Sequence, residues 1–243
     1  MRRPPIIPAA VAFALLLGLA GCGRLPGAAS AQDPAPIPPS QNLDFHTLYS
    51  QNCQACHGSA GHSGPAMDLA NPEFQAMIDD NRLRDIISHG LPGTQMPAWA
   101  QSAGGMLSDQ QIDAIITGMR KEWAQPNALA GATPPPLQQP SGGDAKRGQQ
   151  LYEAHCAMCH SGPTREQITS PVYLSLVSDD ALRSIIVAGR PDIDQPDWRH
   201  DNAKDAPEAP LTGQQVTDIV AYLGSLRNPA AVSAASIPVP PRR

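Results

Sequence analysis

Two short stretches of the chain carry thiol and imidazole groups at one spacing: Cys53, Cys56 and His57 in NCQACHG, and Cys156, Cys159 and His160 in HCAMCHS. Thiols three residues apart stand one helical turn from each other, so both can add to the vinyl groups of a single haem. An imidazole directly after the second thiol can turn a nitrogen toward the iron as proximal ligand. CxxC pairs also serve thioredoxin-like chemistry or form half of a zinc site. A zinc site built from all four thiols leaves both adjoining histidines without a role. The expected cofactors are therefore two covalently bound haem c groups (iron), attached through Cys53, Cys56, Cys156 and Cys159, with His57 and His160 on the metal.

The repetition extends beyond these motifs. Pro72 to Pro92 aligns with Pro171 to Pro191, matching Phe74 with Tyr173, Asp80 with Asp179, Leu83 and Arg84 with Leu182 and Arg183, and Gly90 with Gly189. Trp99 meets Trp198 in the same register, and Leu107 to Trp123 then meets Leu211 to Leu226. One unit occurs twice, with connections of different length.

Helical elements must position these groups. Phe45, Leu48 and Tyr49 precede the first motif, and Leu151 and Tyr152 the second, each set on a short predicted helix. A middle helix is predicted over Asp80 to His89, with Leu83, Ile86 and Ile87 on one side, and over Asp179 to Ala188 with Leu182, Ile185 and Ile186. Gly90 and Gly189 supply the stops. A closing helix begins after Ser108 or Thr212, each followed three residues later by Gln111 or Gln215, a capping-box pattern. Its apolar face is Ile112, Ile115, Ile116 and Met119, or Val216, Ile219, Val220 and Leu223. No stretch alternates long enough to predict a sheet.

With the motifs, the duplication and the helical pattern in place, the chain resembles the small class I c-type cytochromes. The resemblance implies an all-α fold of two tandem class I cytochrome c-like haem domains, residues 43–123 and 144–226. Pro- and Gly-rich residues 124–143 read as a linker that would also permit two separately mobile domains, and 227–243 as a disordered tail. It also implies a methionine sulfur opposite the proximal histidine. In the first domain Met96, in GLPGTQMPAW, fits that loop better than Met67, Met106 or Met119. In the second, GRPDIDQPDW places Gln195 where Met96 stands, and three arrangements are open: His200 as distal ligand, an open or water-bound iron, or Gln195 over the iron. Methionine favours ferrous iron, so the first haem is expected at higher potential than the second.

The first 21 residues place Arg2 and Arg3 before an apolar stretch, Ile6 to Ala20, and end on small residues, the layout of an export signal. The junction resembles a lipoprotein lipobox, with Cys22 as the lipidated residue and 22–42 as a flexible tether. That implies a membrane partner through the lipid anchor and an exported location, at the periplasmic or extracytoplasmic face of a membrane. The chain has 17 basic and 22 acidic side chains, for a formal charge of -5, so no basic excess exists to bind nucleic acid. Asp192, Asp194, Asp197 and Asp201 concentrate acid near the second methionine-like loop, which suits a redox protein with a basic docking face.

The function these features imply is single-electron transfer between respiratory or photosynthetic redox partners, with no catalytic residue required. The alternatives are a haem enzyme, a subunit of a catalytic complex, or a gas sensor taking a small diatomic ligand at the second haem.

Overall fold

The computed structural model describes residues 37–161, 168–199, 210–228 and 230. Cys22, His200 and the N-terminal apolar stretch lie outside the described residues. Ten α-helices occur among the described residues. In the first half they are α1 (Phe45–Asn52), α2 (Gln54–His57), α3 (Pro72–Met77), α4 (Asp80–His89) and α5 (Asp109–Trp123). The second half repeats the order: α6 (Ala145–His155), α7 (Ala157–His160), α8 (Pro171–Leu174), α9 (Asp179–Ala188) and α10 (Gly213–Ser225). No strand longer than an isolated bridge occurs among them.

Local chemistry sets most boundaries. Asp44 and Asp144 cap α1 and α6 by accepting from backbone N–H groups of the first turn. Both capping boxes form: the Gln111 and Gln215 N–H groups donate to Ser108 and Thr212 at 3.3 and 3.2 Å, and each glutamine accepts from its cap's backbone N–H in return. Asn71 caps the short α3, which pattern reading did not find because six residues are too few to show a period.

In each half the first helix crosses the last, and a glycine brings them together. A Cβ on Gly118 of α5 would lie 2.2 Å from the Phe45 ring, whereas a Cβ on Gly148 of α6 would lie 1.9 Å from the Asp218 carbonyl oxygen of α10. The two copies thus place the glycine on opposite partners. At the first crossing Trp123 meets Phe45 and Tyr49 edge-on, with ring centres 5.5 and 5.2 Å apart. At the second, the buried Asp218 carboxylate accepts from Arg147 and from the Asp144 N–H, pinning the start of α6. Ile112, Ile115, Ile116 and Met119 are buried with Leu48 and Leu83 in the first core; Val216, Ile219, Val220 and Leu223 are buried with Tyr152 and Leu182 in the second.

The stretch 124–143 differs from its sequence reading. Leu129, Ala132 and Leu137 pack on the second core, and Leu137 also touches the first. Arg183, buried on α9, donates to the Pro136 carbonyl and to Gln139, while the Gln139 N–H donates to Asp180 at 2.8 Å. Proline-rich backbone supplies carbonyl acceptors that it cannot use itself, and here a buried guanidinium takes one of them. The described residues from Ser40 onward accordingly form one compact unit. Among the residues before it, only 37–39 are described, and they are exposed.

Direct contacts between the halves complete that unit. Ala188 enters the first core and Met77 touches both. Asn71 donates to the Ala188 and Gly189 carbonyls at 2.8 and 3.2 Å, and Arg199 pairs with Glu73 at 3.0 Å.

Two of the four carboxylates near residue 192 are spent on pairs inside the protein. The Asp192 and Asp197 side chains are 3% and 7% exposed and pair with Arg190 and Arg199 respectively. Asp201 lies outside the described residues, which leaves Asp194 as the exposed carboxylate of the described three.

Two outcomes test this packing. Gly148→Ala forces a methyl group onto fixed backbone and should cost roughly 1–3 kcal/mol, read as a lower denaturation midpoint; wild-type stability would show that the crossing can open. Arg190 holds the Asp192 carboxyl down at about 2 from 3.8, so its stabilisation is complete above pH 4 and lost as pH falls toward 2. That is about 2 kcal/mol, and Asp192→Asn should flatten acid unfolding across that window. Asp68, pushed up by burial and in smaller part by the Asp192 charge, contributes with the opposite sign, so the substitution also relieves part of that opposing contribution.

Candidate haem sites

The first site is built by a tight return of the chain after α2. Gly58 has φ +81°, and a Cβ there would fall 1.6 Å from the His62 carbonyl oxygen; one on Gly64 would fall 2.2 Å from that of Cys56. Neither position has room for a side chain. Tyr49 donates its hydroxyl to the Gly58 carbonyl at 2.9 Å, and the Ala66 N–H donates to that of Cys56 at 2.9 Å. The loop so formed brings the Met67 carbonyl 2.8 Å from His57 Nδ1. A carbonyl can only accept, so Nδ1 carries the proton and Nε2 presents its lone pair, the tautomer a metal requires. Burial, and after it the Arg190 cation, hold this imidazole below its usual range and so neutral. Burial and the neighbouring Cys56 push the Cys53 thiol up to about 12.

The second site is a mostly apolar cleft of about 120 Å³. Cys156, Cys159 and His160 line it together with Leu182, Ile185, Ile186, Leu211, Ile219, Leu223 and Trp198. Ile185 and Ile186, read from sequence as one core face with Leu182, are half-buried and belong to the cleft wall. The turn after His160 departs from the first copy: Ser161 stands in place of Gly58 with φ -103°.

The loops after α4 and α9 share one backbone design. Gly90 and Gly189 have φ +72° and +74°, and a Cβ on either would lie under 3 Å from backbone atoms of the loop that folds across it. The Leu91 N–H donates to the Met96 carbonyl at 3.1 Å, and the Arg190 N–H donates to the Gln195 carbonyl at 2.9 Å. Gln195 therefore occupies the backbone place of Met96 and lines the second cleft. Its amide nitrogen donates to the Ile185 carbonyl at 3.1 Å, which ties it to α9.

The competing side chains are committed elsewhere. Met119 is buried in the first core and Met106 is 70% exposed. His46 pairs with Glu122, His62 with Asp68 and His89 with Asp85, at 2.9 to 3.0 Å. Met96 is half-buried. Trp198, buried and in the cleft wall, stacks under Arg199 with the guanidinium 4.8 Å from its ring centre. Sequence reading overlooked Arg190. The visible signal was a charged residue where the first copy has Leu91.

An apolar cleft with two thiols and an imidazole in its wall fits a flat, apolar macrocycle that is covalently attached and ligated from one side. Comparisons with known proteins agree. Residues 41–117 match the family described as cytochrome c oxidase, cbb3-type, subunit III, and residues 145–227 match cytochrome c. The dihydro-heme d1 dehydrogenase of Pseudomonas aeruginosa is 37% identical over 109 residues, 44% of this chain and 17% of that protein. The chain thus spans about a sixth of that relative's length. A solved chain from the reducing HAO-like protein complex of Kuenenia stuttgartiensis aligns over 80% of this chain and all of its own, at 18% identity and a TM-score of 0.44. One segment thus matches an oxidase-subunit family and the other cytochrome c, and the two CxxC pairs with their adjoining histidines fit two covalently bound haem c groups. Among the described residues no helix is long and apolar enough to cross a membrane.

Because the Gly58 turn aims the Met67 carbonyl, Gly58→Ala should leave the first site unable to mature. Pyridine haemochrome analysis should then give one haem per chain instead of two; two haems would show that the turn is dispensable.

Proposed function

We propose that the chain is a lipid-anchored dihaem c-type cytochrome, exported to the extracytoplasmic face of a membrane, that passes single electrons between redox protein partners. Cys22 carries the lipid, while Cys53 and Cys56, and Cys156 and Cys159, form the thioethers. His57 and His160 are the proximal ligands, and Met96 is the distal ligand of the first iron. When bound, each haem supplies one-electron cycling between Fe(III) and Fe(II).

The residues do the rest. Thioether links retain the group outside the cytoplasm, and apolar walls keep water from the metal. The Met67 carbonyl fixes the tautomer of His57. The observation that carries this reading is one scaffold used twice with a different residue at the distal position, Met96 in one loop and Gln195 in the other. A thioether at the first site and none at the second separates the two potentials, so electrons run from the second domain to the first.

The tied amide of Gln195 also favours a second reading, in which the second iron has an open face and takes a small diatomic molecule. The Pseudomonas aeruginosa relative is named a dihydro-heme d1 dehydrogenase, which supports a setting beside oxidoreductase chemistry.

Low-temperature EPR with near-infrared magnetic circular dichroism on the holoprotein separates these readings. The expected result is one methionine-to-iron charge-transfer band, absent in Met96→Ala, and two resolved midpoint potentials with the first haem higher. A band that survives the substitution overturns the Met96 assignment. Rapid carbon monoxide binding at the second haem without turnover selects the sensing role over the carrier.

A further inference from the structure

The loop that presents Gln195 to the second cleft also reaches into the first site. Arg190 and Gln195 exchange backbone hydrogen bonds at 2.9 and 3.0 Å, so they move as one piece. From that piece the Arg190 guanidinium, 7% exposed, enters the turn that follows α2. It donates to the Gly64 carbonyl at 3.0 Å and to the Ala66 carbonyl at 2.8 Å. The next residue is Met67, whose carbonyl holds His57 Nδ1. Asp192 closes the clamp: it accepts from Arg190 through both oxygens at 2.8 Å and from the Ser63 N–H at 2.8 Å.

The backbone bears the mark of this arrangement. Ser63 and Asp194 both have φ +61°, a region that side-chain-bearing residues seldom occupy and that persists where surrounding contacts over-determine it. The two lie on opposite sides of the clamp, one in each domain.

We propose that Arg190 is a positioning residue through which the second domain sets the orientation of His57 and the potential of the first haem. This rests on the reading of His57 as an iron ligand. Two physical effects act together. The planar fork bridges two carbonyls of the loop and a carboxylate, a geometry that an ammonium cannot reproduce. The Arg190 cation also balances Asp192 beside a site that gains and loses one positive charge. Without it, the buried carboxylates of Asp192 and Asp68 stabilise ferric iron and lower the potential. Without the Asp192 carboxylate, the cation stands alone and raises it. A disturbance at the Gln195 end of the loop is transmitted to the first iron along the same piece of backbone.

The test is a spectroelectrochemical titration of the full-length holoprotein, with EPR of the first haem, for wild type, Arg190→Gln, Arg190→Lys and Asp192→Asn. Asn71 and the Arg199 to Glu73 pair still join the domains in each variant. For Arg190→Gln, the ferrous-to-ferric ratio of the first haem at fixed potential should fall about tenfold, ~59 mV for a one-electron couple, with altered EPR g values. Arg190→Lys should recover part of the shift but not the g values, and Asp192→Asn should move the potential upward. The second haem should move less in every case. An unchanged first-haem potential in Arg190→Gln overturns the proposal, as does a shift confined to the second haem. Should Arg190→Gln not fold, equal first-haem potentials in the other two variants and wild type overturn it. Haem content on the same samples separates the failures: fewer than two haems in wild type sinks the dihaem reading, while two haems with unmoved potentials sinks only this one.

Discussion

A neutral imidazole offers a lone pair on one nitrogen when the other carries the proton, and the contact that places that proton governs much of this structure. At the first site the acceptor is the Met67 carbonyl, and a backbone acceptor can be aimed only by shaping the backbone. Gly58 and Gly64 allow the tight return, the Tyr49 hydroxyl holds its start, and the second domain holds its end. Tyr49 is itself packed against Trp123 of the closing helix. The crossing of first and last helices, the turn and the interdomain contacts all converge on one hydrogen bond, so fold and site cannot be varied independently here.

The parts of this that were legible in the sequence were local. Thiol spacing, helical periodicity, the capping boxes at Ser108 and Thr212 and the stops at Gly90 and Gly189 each depend on residues within a few positions of one another. The duplication was legible because it is itself a sequence property. Contacts across long separations were hidden. Nothing near Gly118 or Gly148 in the sequence marks its role, and only the crossing shows why each is a glycine. The acidic run near Asp192 looked like surface charge because its partners, Arg190 beside it and Ser63 far upstream, become neighbours only on folding. The stretch 124–143 looked like a linker because composition reports the absence of a period. It does not report that a buried Arg183 will use a proline carbonyl.

The scarcity of aromatic side chains, 4% of the chain, has its explanation in the same place. Ile185, Ile186, Leu211 and Leu223 line a cleft instead of closing on one another, and each half is completed by a macrocycle that composition does not count. Tyr173 and Trp198 stand in the wall of that space. Of the charged side chains admitted to the interior, Arg183, Arg190 and Asp218 each hold several hydrogen bonds, and Asp68 accepts from the Ala70 N–H and pairs with His62. An ionised group withdrawn from water is tolerated only on that condition.

The folded-down stretch 124–143 has a kinetic meaning. With Leu137 touching both cores and Arg183 gripping Pro136, the two candidate haem sites tumble together at a fixed separation. On the function proposed above, exchange of an electron between them would then be a property of the fold, first order and indifferent to solvent viscosity, while only the steps that bring in outside partners would depend on encounter.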